Sequence, residues 1–235
     1  MMNQYLDLLA HFGIGGAHPG GMALTHSIFA KEKIKPQDHV LDIGCGTGKT
    51  ASFLAKNFNC TVSAIDLHPT MIEKAKKRFT TEGLTIKAIL GDVQNMEFAD
   101  HSFNYVLSES VISFTDISKT LSEIARVLKE NGCLLMIEMT AEQDLSDDVK
   151  EKVVEIYGID EVLTEKEWIS RLQQVGFADI EKIPTSGLLI PSEIADMDLS
   201  DHISMALHDV WEAHNQFIEQ NGHLINYRVF KCYLR

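Results

Sequence analysis

Short apolar runs of strand length alternate with segments of helical period through most of this 235-residue chain, and that alternation restricts its fold more than any other feature. Residues 39–43, 61–66, 86–90, 103–108 and 133–138 are each brief and rich in β-branched or apolar side chains, as in strands buried on both faces. Between them, residues 69–80 open with Pro69 and carry Met71, Ile72, Ala75 and Phe79 on one helical face. Residues 116–128 repeat the pattern with Leu121, Ile124, Ala125 and Leu128, and residues 49–57 also read as a helix. Strand followed by helix, repeated, predicts a parallel sheet with helices on both faces. Further on, residues 146–157 read as a helix, and Thr164 with Glu167 forms a capping box for another that stops at Gly176. Residues 180–183 and 224–233 read as a sixth and a seventh strand. Residues 200–221, closed by Gly222, read as a long helix inside an insertion spanning 191–222. Ahead of the first strand, residues 5–12 and 22–33 read as helices joined by the glycine-rich stretch 13–21, so that residues 1–36 form a helical lid segment. With no repeat and no linker, residues 1–235 are expected to be a single domain.

Composition narrows the function. Hydrophobic residues make up 45% and charged residues 23%, enough apolar surface for a sizeable core. No apolar run approaches the length of a bilayer, and Met1-Met2-Asn3-Gln4 leads into no basic-then-apolar leader, so a cytoplasmic protein without a membrane partner is expected. A formal charge of −13 repels phosphate backbones, and no basic run with interleaved aromatics offsets it, which argues against nucleic acid as partner or substrate. Cys45, Cys60, Cys133 and Cys232 lack the paired spacing of zinc or redox sites and read as buried thiols. No metal site is expected.

The strongest local signal is Val40-Leu41-Asp42-Ile43-Gly44-Cys45-Gly46-Thr47-Gly48, a strand running into a glycine turn that opens a helix. Glycines there let a ligand lie against the backbone. The spacing Gly44-x-Gly46-x-Gly48 differs from the G-x-G-x-x-G of dinucleotide-binding enzymes, which disfavours an NAD-linked oxidoreductase. Asp42, two residues before the first glycine, suits the ammonium group of an amino-acid tail better than a pyrophosphate. Asp66 ends the second strand before Leu67-His68-Pro69 and a helix, and a carboxylate can accept from both hydroxyls of a ribose. Asp92 in Gly91-Asp92-Val93, after the third strand, is placed to accept from an exocyclic amine while the Val93 N–H donates to a ring nitrogen.

Taken in order, these three markers resemble the class I S-adenosylmethionine-dependent methyltransferases, in particular the small-molecule branch that includes quinone-biosynthesis enzymes. The resemblance spans about residues 40–138. It implies a Rossmann-like α/β fold, a seven-stranded, mostly parallel sheet with helices on both faces and an antiparallel last strand, and S-adenosylmethionine as cofactor. It assigns the methionine part to Asp42, Gly44, Cys45, Gly46 and Gly48, the ribose to Asp66 with Leu67, and the adenine edge to Asp92 with Val93. A further cofactor contact is expected at Met71.

At the end of the fourth strand, Leu107-Ser108-Glu109-Ser110-Val111 lacks the Asn/Asp-Pro-Pro-aromatic sequence of the family's amide- and base-methylating members, which points to a small-molecule acceptor. Ser108 and Glu109 read as contacts to cofactor or substrate, Ser108 being carried as a cofactor contact, although strand-end polar residues also serve as caps. Histidine is the usual base near neutral pH. His18, in His18-Pro19-Gly20-Gly21, reads either as a lid or cofactor contact or as part of a turn. His214 lies on a face with Ile203, Leu207, Val210, Trp211, Phe217 and Ile218, either as a core-edge histidine or as the inward-pointing base of an acceptor pocket walled by Trp211 and Phe217. His18 and His214 are therefore the catalytic candidates. The competing functional reading is a non-catalytic S-adenosylmethionine-binding sensor.

Overall fold

The computed structural model describes residues 3–185 and 196–234. Helices α1 (Gln4–Phe12) and α2 (Gly21–Phe29) precede strand β1 (His39–Ile43), followed by α3 (Lys49–Phe58), β2 (Thr61–Asp66), α4 (Pro69–Thr81), β3 (Lys87–Leu90) and β4 (Phe103–Glu109). A single 3-10 turn, Ile112–Phe114, leads to α5 (Ile117–Val127) and β5 (Leu128–Ala141). Then come α6 (Asp147–Tyr157), α7 (Glu165–Gln174), β6 (Phe177–Ile183), α8 (Met205–Asn221) and β7 (Ile225–Leu234).

The strands form one seven-stranded sheet in the order β3-β2-β1-β4-β5-β7-β6. Strands β1 to β5 run parallel, and β7 is antiparallel to both β5 and β6. This is the sheet that the resemblance implies, antiparallel last strand included. The chain builds β2 and β3 on one side of β1 and returns to the other side for β4. Strand order thus reverses at β1, and open α/β sheets bind ligands at the carboxyl ends of strands flanking such a reversal.

Alternation along β1 sends Leu41 and Ile43 to one core cluster and Val40 to the other. The first cluster takes Leu121 and Ile124 of α5 with Trp168 and Leu172 of α7; the second takes Leu54 of α3 with Ile72 and Phe79 of α4. Each large apolar side chain so buried contributes about 1.5–3 kcal/mol against exposure, which fixes the sheet rigidly under whatever its ends carry.

Several element ends differ from the sequence reading, each for a local reason. Helix α2 stops at Phe29 rather than running to residue 33, because the Lys31 and Glu32 N–H groups close onto carbonyls three residues back. Helix α8 begins at Met205 rather than residue 200; Ser204 is its cap, its side chain accepting from the Ala206 N–H. Strand β5 starts at Leu128 and reaches Ala141, since its partner β7 continues the ladder to the Ile225–Ala141 pair. Strand β6 begins earlier, at Phe177. Of the stretch 191–222, residues 191–195 lie outside the described residues; α8 occupies most of the rest and packs on α1 and α6.

Candidate active site

Two adjoining cavities open at the reversal point. The first lies against the ends of β1, β2 and β4 and is lined by Asp42, Gly44, Cys45, Gly46, Asp66, Leu67, Met71, Asp92 and Val93. Nine of the eleven residues carried as cofactor contacts thus meet around one space. The other two do not line it. Gly48 opens α3 with φ +75°, and a Cβ there would stand 2.5 Å from the Phe79 ring, so its role is close packing of helix on helix. Ser108 is fully buried and donates its hydroxyl to Glu138 Oε1 at 2.9 Å.

The turn between β1 and α3 is held by the carboxylate that follows β2. Asp66 Oδ2 accepts from the Gly46 N–H at 2.9 Å and Oδ1 from the His68 N–H at 2.8 Å. Each oxygen retains a second lone pair for a ligand hydroxyl. Gly46 takes φ +53°, and a Cβ added there would meet only the end of Met71 at 3.9 Å, so the missing side chain leaves cavity rather than a packed contact. Asp92 is oriented by the Gln94 N–H, 2.8 Å from Oδ1.

The walls of this cavity are acidic. Asp42 is 2% exposed, and its Oδ2 has no partner among the described residues. Burial, then repulsion from Glu109 and Asp66, raises Asp42 well above the usual carboxylate range. Burial likewise raises Asp66, opposed by the backbone donors of His68, Gly46 and Leu67. The Ala51 N–H opposes the shift of Asp42, and a buried carboxylate that keeps one oxygen unpartnered on a cavity wall is stabilised by a cationic ligand group. The donor set therefore fits the amino-acid end, ribose and adenine of S-adenosylmethionine.

The N-terminal segment covers this space. Leu6, Leu9, Ile14, Ala17 and His18 line both cavities. Asp198 N donates to Gly13 O and Gly15 N to Asp196 O, while the Asp196 carboxylate meets Arg78 at 2.8 Å and Lys49 at 3.2 Å. His18 is buried, with Nδ1 3.1 Å from Pro19 O and Nε2 3.1 Å from Thr25 Oγ1 and 3.4 Å from Glu109 Oε1. Thr25 and Thr50 both donate to Glu109, at 2.5 and 2.7 Å. The His18 ring is thus engaged on both nitrogens and ties the N-terminal segment to the end of β4.

The second cavity, about 160 Å³, is walled by aromatic rings: Tyr5, Phe114, Tyr157, Trp211 and His214. Tyr5 lies 5.3 Å from His214 and 6.1 Å from Phe114 between centroids, and Trp211 lies 5.9 Å from His214. Helix α8 supplies Trp211, His214, Asn215 and Ile218, the i, i+3, i+4, i+7 set of one face. Phe217, expected in this wall, packs behind it edge-on to Tyr157 at 5.6 Å. His214 Nδ1 lies 2.9 Å from the Tyr157 hydroxyl. Burial lowers the imidazole to about 4, so the ring is neutral at pH 7.

The floor between the cavities hangs on one buried carboxylate. Glu138 accepts from the Ser108 and Ser113 hydroxyls and from the N–H groups of Val111, Ile112 and Ser113, at 2.8 to 3.2 Å. Burial raises this acid above the usual range, opposed by those donors. The result is a fixed turn carrying Phe114. Beside it, Ser110 sits at φ +59°, unusual for a residue with a Cβ, with a buried hydroxyl that has no partner among the described residues. Sequence reasoning named Glu109 and passed over Tyr5, Ser110, Glu138 and Tyr157. No local pattern marks them, since only tertiary packing brings α1, α6 and β5 to one place.

Comparison with known proteins shows the family. A methyltransferase-domain family model matches residues 40–132. "Uncharacterized methyltransferase YodH" of Bacillus subtilis (strain 168) is 36% identical over 237 residues, covering 99% of this chain and all of the relative. Among solved structures, phosphoethanolamine N-methyltransferase 2 of Haemonchus contortus, in complex with S-adenosyl-L-methionine, superposes with a TM-score of 0.77 at 23% identity, over 97% of this chain and 57% of that one. Geranyl diphosphate C-methyltransferase of Streptomyces coelicolor A3(2) superposes with a TM-score of 0.68 at 14% identity, over 96% and 91%. The chain belongs to the class I S-adenosylmethionine-dependent methyltransferases, and S-adenosylmethionine is its cofactor. Among the described residues no helix is long and apolar enough to cross a membrane.

Proposed function

We propose that the chain methylates a small molecule held in the aromatic cavity, with the cofactor in the acidic cavity beside it. The observation that carries this reading is the shared wall of the two spaces, formed by Leu6, Leu9, Ile14, Ala17, His18, Ser110 and Phe114. Bound cofactor supplies a methyl group on a sulfonium, and displacement at that carbon requires the acceptor to approach in line with the breaking bond. Asp42, Gly44, Cys45 and Gly46 hold the amino-acid end, Asp66 with Leu67 the ribose, and Asp92 with Val93 the adenine edge. Met71 packs against the bound cofactor. The lid of α1 and the following loop, backed by α8, excludes water.

His214 is the group we assign to receive the acceptor's proton. Its Nδ1 is engaged with Tyr157, which leaves Nε2 as the nitrogen without a protein partner among the described residues. His18, engaged on both nitrogens, is assigned to positioning the lid. Incubation of the protein with S-adenosylmethionine and a metabolite pool is expected to yield S-adenosylhomocysteine together with a methylated small molecule. Cofactor binding without turnover across such pools would favour the sensor reading instead.

Two further results are expected. The ammonium of the cofactor stabilises ionised Asp42, so binding is expected to release protons where free Asp42 is protonated, and affinity should rise with pH over that window. Calorimetry in buffers of different ionisation enthalpy measures the proton count; a count of zero at every pH removes Asp42 from this role. Chelation with EDTA is expected to leave turnover unchanged, because displacement from a sulfonium needs no metal; among the described residues no group of three His, Cys, Asp or Glu is placed to hold one. Loss of turnover in EDTA, restored by a particular metal, would overturn this and favour a diphosphate acceptor like that of the Streptomyces coelicolor enzyme.

A further inference from the structure

We infer that the reacting part of the acceptor is an uncharged ring bearing a hydroxyl group, a substrate class that rests on the proposed methyl transfer and goes beyond it. The second cavity is open on one side, so its size limits the part of the acceptor that it holds. At about 160 Å³ it is close to the apolar cavity of about 150 Å³ known to take up benzene. Its walls are flat rings and aliphatic side chains, a surface that gains by covering another ring.

Charge sets the second limit. No Lys or Arg lines this cavity among the described residues, and the undescribed stretch 186–195 contains neither in its sequence. A phosphate or carboxylate placed here would find no counter-charge from the protein, beside Glu138 and against a net charge of −13, and only the sulfonium of the cofactor, consumed in the transfer, would face it. A cationic amine finds no free partner either, since the Glu138 oxygens already accept five donors. The same amine, as an ammonium, has no lone pair with which to attack.

What the cavity does offer is one neutral imidazole and sparse neutral polar groups, among them the Ser110 hydroxyl on the shared wall. These suit a hydroxyl, which hydrogen-bonds while neutral and gives up its proton as it reacts. The acceptor oxygen forms its bond to the methyl carbon as the carbon–sulfur bond breaks, the bonding pair remaining on sulfur. The hydroxyl proton passes to His214 Nε2, so the positive charge that arrived on sulfur departs as a proton. A phenol is the simplest molecule with all of these properties.

The test uses the full chain saturated with S-adenosylhomocysteine and three probes of equal ring size: phenol, benzoate and phenyl phosphate. Binding is followed by ligand-observed NMR and by emission of Trp211, which lines the cavity, against that of Trp168, which is fully buried with its indole N–H on Met139 O. Phenol is expected to bind at least about 10-fold more tightly than either anion, as follows from the cost of burying an uncompensated charge, and to be methylated to anisole when S-adenosylmethionine replaces the product. In His214→Gln, phenol binding should persist while anisole formation falls. Binding of benzoate or phenyl phosphate as tight as that of phenol, or binding of none of the three, would overturn the inference while leaving methyl transfer intact. Failure of the protein to take up S-adenosylhomocysteine at all would instead contradict the reading beneath it.

Discussion

His214→Ala is expected to lower turnover about 10²–10⁴-fold, the usual contribution of a positioned base, while cofactor affinity stays nearly unchanged. The side chain lies in the second cavity and does not line the cofactor cleft. Its depressed basicity shapes the pH dependence. An ordinary histidine would give an acid limb near pH 6.5; burial of this one moves the limb to about 4. A base that weak accepts the proton only as the oxygen is alkylated, not in a separate earlier step. Folding is linked to the same titration. Because the folded-state value is lowered, the unfolded chain binds the proton more readily, and stability contributed here is lost as pH falls from about 6.5 through about 4. His214→Ala should therefore lose both the acid limb of activity and part of the acid sensitivity of its melting temperature. Full turnover in a well-folded variant would eliminate His214 as proton acceptor.

Asp66→Ala is expected to weaken cofactor binding by about 2–4 kcal/mol, or roughly 30-fold to 1,000-fold, through loss of charge-assisted bonds to two ribose hydroxyls. The loss has a second source. Asp66 also anchors the Gly46 and His68 N–H groups, so the variant frees the glycine turn at the same time. Asp66→Asn separates the two contributions. The amide keeps one acceptor oxygen for the turn or the ribose but brings a donor against a backbone N–H, and its affinity should fall between wild type and Asp66→Ala. Calorimetric titration of all three decides the matter; equal affinities would remove Asp66 from the cofactor site.

The fold was readable in the sequence where local chemistry decides it. Buried parallel strands announce themselves as apolar runs, Pro69 marks the start of α4, and Thr164 with Glu167 makes the capping box observed at α7. Ends set by tertiary partners were not readable. The extension of β5 to Ala141 depends on its partner Ile225 of β7, far along the chain, and α2 ends at Phe29 with neither glycine nor proline to signal it. The same division runs through the site. Glycines and acids at strand ends carry their own signal, whereas the aromatic cavity draws Tyr5, Glu138, Tyr157 and His214 from four distant elements. The face of α8 was legible as a period, and its cavity side was misjudged by one position: Phe217 turns to Tyr157 of α6, and Ile218 takes the wall. Ser108 was readable as a polar residue at a strand end, yet its partner, Glu138, lies on the neighbouring strand.

The most direct test of the account is calorimetric titration of S-adenosylmethionine into the wild-type chain with, in parallel, a structure of the S-adenosylhomocysteine complex. The account predicts one ligand per chain, with its ribose on Asp66, its adenine edge at Asp92, its ammonium facing Asp42 and its sulfur at the wall shared with the aromatic cavity. A folded wild-type chain that binds neither compound at millimolar concentration, or that binds them away from the glycine turn, would contradict it.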